Sequence, residues 1–188
     1  MINSSASHLC AFALTLGAVC ALAAFPSAHA DDTPASKSAA QAEKLSPADQ
    51  QFLQDASAAG ATEIAASKLA LTHASDHQVR EFAQRMIVDH TKLARNLDVL
   101  AKRHGITAPA AADSALIGNL QNLQGAEFDK AYIEKVAVDG HQKAVELFRN
   151  ESESGKDTAL KAAATKALPV ISHHYAMAQQ LAKTKAAP

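Results

Sequence analysis

The sequence predicts an all-α protein. Four stretches of about 27 residues repeat apolar side chains every three or four positions, which places those side chains on one face of an α-helix. Helix-capping residues, glycine or proline stand between these stretches. No segment of the sequence alternates apolar and polar residues in the manner of a half-buried β-strand.

Residues 1–30 have the features of a secretory signal peptide. An apolar run from Leu9 to Phe25 is followed by Ala28-His29-Ala30, a small-x-small cleavage pattern, although no lysine or arginine precedes the run. We therefore expect cleavage near Ala30 and a periplasmic or secreted protein. Both cysteines, Cys10 and Cys20, lie within this segment, so the mature chain is expected to contain neither disulfides nor thiolate metal ligands.

The first two predicted helices form an antiparallel hairpin after a flexible leader over residues 31–46. The leader is small, polar and aperiodic. Ser46 is suited to cap the first helix, which starts at Pro47 and continues to about Thr72. Asp76 caps the second helix after a tight turn, and Gly105 ends it just beyond His104.

A second predicted hairpin follows a connection over residues 105–125, which contains a short helix over 114–124. The third helix runs from about Ala126 to Ser152, and the fourth runs from Asp157 to about Lys183. Pro169 lies inside the fourth helix and predicts a kink. Two helical hairpins joined by a long connection predict a ferritin-like four-helix bundle over residues 47–184.

Four ionisable residues interrupt the apolar faces of the four long helices. They are Glu63, His90, His141 and His174, one in each helix and each near the midpoint of its helix. Helix midpoints share one level in a bundle whichever direction each helix runs, so one carboxylate and three imidazoles are expected to converge in the core. Burying such groups is costly unless they are paired or bind a metal.

One carboxylate and three imidazoles are a suitable ligand set for one divalent transition metal. Neutral histidine suits zinc, copper or iron, and the carboxylate offsets part of the metal charge. A di-iron centre of the usual bundle type requires Glu-x-x-His motifs. Here the residues three positions before the histidines are Ile87, Val138 and Ile171, which argues against that centre.

Other interpretations of the same four residues remain open. They could form a hydrogen-bonded polar layer that sets the register of the helices, or a core that responds to pH as its histidines become charged. Met86 and Met177 lie within a turn of His90 and His174, which leaves a softer copper(I) site conceivable; methionine that fills gaps in an apolar core is the ordinary alternative.

The charge balance limits the electrostatic partners of the protein. The chain has 18 lysine and arginine residues and 19 aspartate and glutamate residues, for a formal net charge of −1. This balance, without any basic tract, argues against binding to nucleic acid or to an anionic membrane. No transmembrane segment is expected after signal cleavage, and the sequence identifies no protein partner.

The chain resembles the bacterial family known as domain of unknown function 4142, whose members are often labelled outer-membrane or exported proteins and are grouped with ferritin-like folds. The resemblance covers most of residues 47–183 and rests on four stretches. These are GATEIAASKLAL (60–71), VREFAQRMIVDHTKL (79–93), FDKAYIEKVAVDGHQKAVELF (128–148) and LPVISHHYAMAQQL (168–181). The family pattern includes Glu63, His90, His141 and His174. It implies the fold rather than an activity, because the family has no established activity.

The sequence therefore predicts an exported helical bundle with three possible roles. The leading hypothesis is binding of a transition metal by the four polar residues, in envelope metal or stress handling. The alternative is a non-catalytic envelope interaction or structural module whose central layer only sets helix register. A catalytic metal oxidase would additionally need an open coordination position and a pocket that reaches solvent.

Overall fold

The computed structural model describes residues 44–108 and 110–186, all of whose regular structure is helical. The all-α prediction is therefore confirmed. The predicted signal peptide, residues 31–43 of the predicted leader and Pro109 lie outside the described residues. The helical elements, in chain order, are α1 (Pro47–His73), α2 (His77–Arg103), α3 (Ser114–Gln121), α4 (Gly125–Ala131), a π-helix (Tyr132–Val138), α5 (Asp139–Ser154) and α6 (Thr158–Ala186).

Helix α1 packs most extensively on α2, and α5 packs most extensively on α6, so the long helices pair as the two predicted hairpins. The predicted caps are present. Ser46 Oγ accepts a hydrogen bond from the backbone N–H of Asp49 (3.1 Å), and Asp76 Oδ1 accepts hydrogen bonds from the N–H groups of Gln78 and Val79. These contacts satisfy backbone donors that a helix N-terminus leaves free.

The prediction of one regular α-helix from Ala126 to Ser152 is wrong in its central part. There α4, the π-helix and α5 follow one another without a break. The wider π turn is visible where Asp139 N–H bonds to Glu134 O, five residues earlier. π-helical segments inside α-helices occur frequently at functional sites, and this one ends three residues before His141.

Helix α6 continues through Pro169, so the kink expected there stays a prediction. No helix within the described residues combines the length and the apolar character needed to cross a membrane.

Two apolar clusters form the core. Along each long helical segment, one of the four polar residues lies between the residues of the first cluster and those of the second. The first cluster contains Ala66 from α1, Met86 from α2, Ala137 from the π-helix and Ala178 from α6. The second contains Ala56 from α1, Leu97 from α2, Ala144 from α5 and Ile171 from α6, together with Leu45 just before α1. Glu63, His90, His141 and His174 therefore separate one half of the core from the other.

Two buried acidic residues, Asp49 and Glu151, lie near the turn between α5 and α6. Asp49 fixes this turn against the start of α1. The Asp49 carboxylate accepts hydrogen bonds from the backbone N–H groups of Lys156 (2.8 Å) and Asp157 (3.1 Å). Glu151 is only 5% exposed. Burial raises the pKa of Glu151 to about 7, and the nearby Asp49 and Asp157 carboxylates add to the effect, whereas Lys161 opposes it. Glu151 is therefore partly protonated in the folded protein at neutral pH.

We expect Glu151→Gln to stabilise the protein at pH 8 and to have little effect near pH 4. The folded state holds the Glu151 proton more tightly than the unfolded chain, so ionisation costs stability as the pH rises from about 4.5, and the cost is complete above about 7. Since one pKa unit corresponds to about 1.4 kcal/mol, the rise from 4.5 to about 7 predicts a gain at pH 8 on the order of 3 kcal/mol. Urea unfolding at both pH values measures it, and an equal effect at pH 4 and pH 8 would contradict this explanation.

Candidate metal centre

The structure brings the four predicted site residues together at one level of the core. Glu63 comes from α1, His90 from α2, His141 from α5 and His174 from α6. Their exposed fractions are 4%, 3%, 0% and 1%, respectively. Each lies on the inward face of its helix at the position that helical periodicity indicated. Three imidazoles and a carboxylate are therefore removed from water in one small region.

Glu63 contacts two of the three imidazoles. Its Oε2 lies 2.7 Å from His90 Nδ1, and its Oε1 lies 3.6 Å from His141 Nδ1. The His90 contact is a short ion-pair distance, although neither His90 ring nitrogen has a hydrogen-bond partner. Glu63 therefore bridges α1 to both α2 and α5 through close electrostatic contacts.

The other two histidines each have one ring nitrogen that is hydrogen-bonded. His141 Nδ1 lies 3.0 Å from the backbone carbonyl oxygen of Ala137, in the π-helix. His174 Nε2 lies 3.1 Å from Asp89 Oδ2 on α2. Both partner oxygens act as acceptors, so these two nitrogens carry the ring proton. This fixes the tautomer of each ring and leaves its opposite nitrogen with a free lone pair.

The remaining imidazole nitrogens have no hydrogen-bond partner among the described residues. They are Nδ1 and Nε2 of His90, Nε2 of His141 and Nδ1 of His174, and all four are buried. His90 Nδ1 lies beside Glu63 Oε2, whereas the other three have no such contact. Buried polar atoms in native proteins are nearly always hydrogen-bonded or bound to an ion. Three such atoms on three adjacent imidazoles therefore require an explanation that the protein atoms alone do not supply.

The three imidazoles form a nearly equilateral triangle. The ring centroids are 5.4 Å apart for His90–His141 and for His90–His174, and 5.5 Å apart for His141–His174. One nitrogen from each ring lies within 4.8 Å of the others. Three nitrogens bound to one zinc ion at about 2.1 Å are roughly 3.4 Å apart in tetrahedral geometry. A closure of up to about 1.5 Å would therefore be enough for all three to share an ion.

Burial keeps two of the imidazoles neutral at pH 7. It lowers the pKa of His174 to about 4; the adjacent His90 adds to this effect, and Asp89 opposes it. Burial also lowers the pKa of His141 against the opposing charge of Glu63. Burial would raise the pKa of Glu63, but the contacts with His90, His141 and His174 outweigh it and lower that pKa. Neutral imidazoles beside an ionised carboxylate are the protonation states that a metal cation needs.

Two cavities reach the centre from different sides of the protein. A cavity of about 370 Å³ is lined by Glu63, Val136 and Gly140. A groove of about 730 Å³ between α2 and α6 is lined by His90 and His174. The polar layer is therefore buried, and three of its four residues also line one of the two cavities.

A second buried polar pair lies one turn along α1 from Glu63. Ser67 Oγ and Tyr132 Oη are 2.8 Å apart, and both side chains are buried. Burial raises the pKa of Tyr132, the Ser67 hydrogen bond opposes this, and the Glu63 charge adds to it. The sequence analysis did not identify this pair, because a serine and a tyrosine on apolar faces are common in ordinary cores.

A further buried carboxylate and the two methionines near the histidines in sequence have other contacts. Asp129 accepts hydrogen bonds from Ser75 Oγ (2.6 Å) and from the N–H of Asp76 (3.0 Å) at the turn between α1 and α2. Met86 and Met177 belong to, or pack against, the first apolar cluster. Asp89, the residue before His90, contacts His174 and therefore belongs to the site.

An all-helical fold with a buried layer of one carboxylate and three histidines defines the class of this protein. The chain belongs to the family described as Domain of unknown function (DUF4142), whose model matches residues 34–181. No curated protein matches the chain. The family assignment based on the four quoted stretches is therefore confirmed, and no activity comes with it.

Two solved structures share this fold. One is a DUF305 fragment from Deinococcus radiodurans, with a TM-score of 0.62 and 16% sequence identity over 74% of this chain and 99% of the other. The second is a DUF305 protein from Streptomyces coelicolor, whose name proposes that it is secreted. Its TM-score is 0.59, and its identity is 17% over 74% of this chain and 94% of the other. At these identities the likeness concerns the fold alone.

Proposed function

We propose that the protein binds one divalent transition metal ion, zinc, copper or iron, through His90, His141 and His174. The observation that carries this proposal is the state of the imidazole nitrogens. In His141 and His174 one nitrogen is hydrogen-bonded to an oxygen acceptor, and the other is buried without a partner. In His90 one nitrogen lies 2.7 Å from Glu63 Oε2, and the other is likewise buried without a partner. Histidines that ligate metals almost always donate their second N–H to a carboxylate or a backbone carbonyl, which is the arrangement of His141 and His174.

In this proposal Glu63 acts behind the ligands rather than as a ligand. Its oxygens contact Nδ1 of His90 and Nδ1 of His141, and Nδ1 of His141 also faces the Ala137 carbonyl. The Nε2 atoms of both rings are then left for the ion. Glu63 and Asp89 orient the imidazoles and offset the metal charge, while a fourth coordination position stays open toward water or a small ligand.

The biological setting that we propose is metal or stress handling in the cell envelope. The signal-like segment over residues 1–30 supports export. Metal binding alone would serve storage or delivery, and the open position leaves room for catalysis.

The first test is elemental analysis of protein purified without an affinity tag from the periplasmic fraction. We expect close to one equivalent of zinc, copper or iron, and its loss in the His90→Ala/His141→Ala variant. The matched control is His77→Ala/His173→Ala, which removes two exposed histidines and should leave the metal content unchanged. A metal-free parent that also gains no stability from added zinc, copper or iron would overturn the proposal.

The second candidate function is an interaction or structural module in which the polar layer sets the register of the helices. It is supported by the position of the layer between two apolar clusters and by the contacts of Glu63 with both α2 and α5. Its own prediction concerns stability and is argued in the Discussion.

A further inference from the structure

The groove between α2 and α6 has the features of a second ligand site. The two helices run antiparallel, since His90 lies beside His174 at one level and His104 lies 3.3 Å from Asp157 at another. Between these levels the groove spans about 13 residues of helix, or roughly 20 Å at 1.5 Å per residue. Its volume of about 730 Å³ lies in the range of small-molecule sites.

The floor of this groove is apolar and partly open to solvent. Small residues of α6 allow the opening, because Ala159, Ala163 and Ala167 line it where larger side chains would fill it. Val99 and Val170 also line it and are 50% and 46% exposed. Exposed apolar side chains clustered along one groove mark a binding surface more often than scattered ones do.

The rim of the groove is positively charged. Its lining contains Lys92, Arg103 and Lys166 but only one carboxylate, that of Asp89. Asp89 already contacts Lys92 (3.6 Å) and His174 (3.1 Å). Within the described residues Arg103 and Lys166 form no ion pair, and both side chains are exposed. The protein as a whole is almost neutral, yet two cationic side chains without an ion-pair partner lie beside this apolar groove.

We propose that this groove binds an elongated apolar molecule that carries a carboxylate, such as an unbranched aliphatic carboxylate. The carboxylate would pair with Arg103 and Lys166, and the apolar chain would lie on the alanine-lined floor toward His90 and His174. Binding would cover Val99 and Val170 and remove apolar surface from water. This site does not require the proposed metal, although its inner end meets the same imidazoles.

The test is calorimetric titration of the EDTA-treated protein with dodecanoate below its micelle concentration. Dodecylammonium is the control ligand, because it has the same chain and the opposite charge. We expect dodecanoate to bind at one site and dodecylammonium to bind at least about tenfold more weakly. The same titration on His141→Ala separates this proposal from metal binding, since dodecanoate should still bind to that variant.

Variants locate the site within the groove. Arg103→Glu/Lys166→Glu should weaken dodecanoate binding about tenfold or more, and Ala167→Phe should block it by filling the floor. The matched control Lys68→Glu/Lys130→Glu reverses the charge of two exposed lysines outside the groove and should bind like the parent; circular dichroism verifies that each variant is folded.

Equal affinity for both ligands, or unchanged binding in the groove variants, would overturn the proposal. A dimer that excludes dodecanoate would also overturn it, by assigning this face to a second copy of the chain.

Discussion

Replacing His141 with alanine is expected to abolish metal binding, whereas replacing Glu63 with glutamine is expected only to weaken it. His141 would supply one of three ligands, and two imidazoles cannot complete the site. Glu63 contacts the Nδ1 atoms of two rings, and loss of such an outer partner typically costs 10–100-fold in metal affinity. The ratio of the two effects therefore distinguishes a ligand from a residue that orients ligands.

Thermal unfolding with and without added zinc measures this difference. At a free zinc concentration about 100 times the dissociation constant, the parent should gain about 2.7 kcal/mol. The gain should vanish in His141→Ala and shrink in Glu63→Gln, and the exposed neighbour variant His173→Ala should behave like the parent. If Glu63→Gln lost all zinc binding as His141→Ala does, Glu63 would be a ligand itself, as the sequence alone suggested.

The helices and the level of the polar layer could be predicted because their signals are local. Ser46 and Asp76 cap α1 and α2 through bonds to residues two or three positions away, so a short sequence window contains both partners. The burial of Glu63 and His141 follows from the 3.6-residue period, which requires only that each helix present its apolar face inward.

The chemistry within the layer could not be predicted, because it depends on ring orientation and on contacts between helices. Whether Glu63 would face a metal or the outer side of His90 is decided by side-chain torsions that sequence spacing does not specify. The π-helix before His141 was also missed, since its residues have an ordinary helical pattern. For Asp89 a signal did exist: as the residue before His90 it lies about 100° around α2, where a neighbouring helix can be reached.

Replacing Glu63 alone with leucine is expected to destabilise the metal-free protein by about 3 kcal/mol. Leucine has a similar size but accepts no hydrogen bond, so the charge-assisted contacts to His90 and His141 are lost and their Nδ1 atoms keep weaker partners or none. Leaving a buried polar group without its partner typically costs about 1–3 kcal/mol, because that group stays desolvated, and here two imidazoles lose a contact. Urea unfolding in EDTA provides the measurement.

Replacing all four residues with leucine should recover that loss and leave the metal-free protein as stable as the parent, or up to about 4 kcal/mol more stable. No desolvated polar group of the layer then remains, and the two apolar clusters join into one core. Asp89 loses its histidine partner, but it is about one-quarter exposed and keeps its contact with Lys92.

A fourfold variant that folds to the same helical structure would show that the layer is not needed to set helix register. Such a result would remove the main support for the structural-module hypothesis and leave ligand binding as the reason for a costly layer. A fourfold variant that forms a mixture of oligomers or a molten core would instead assign the layer to fold specificity, whatever its affinity for metal.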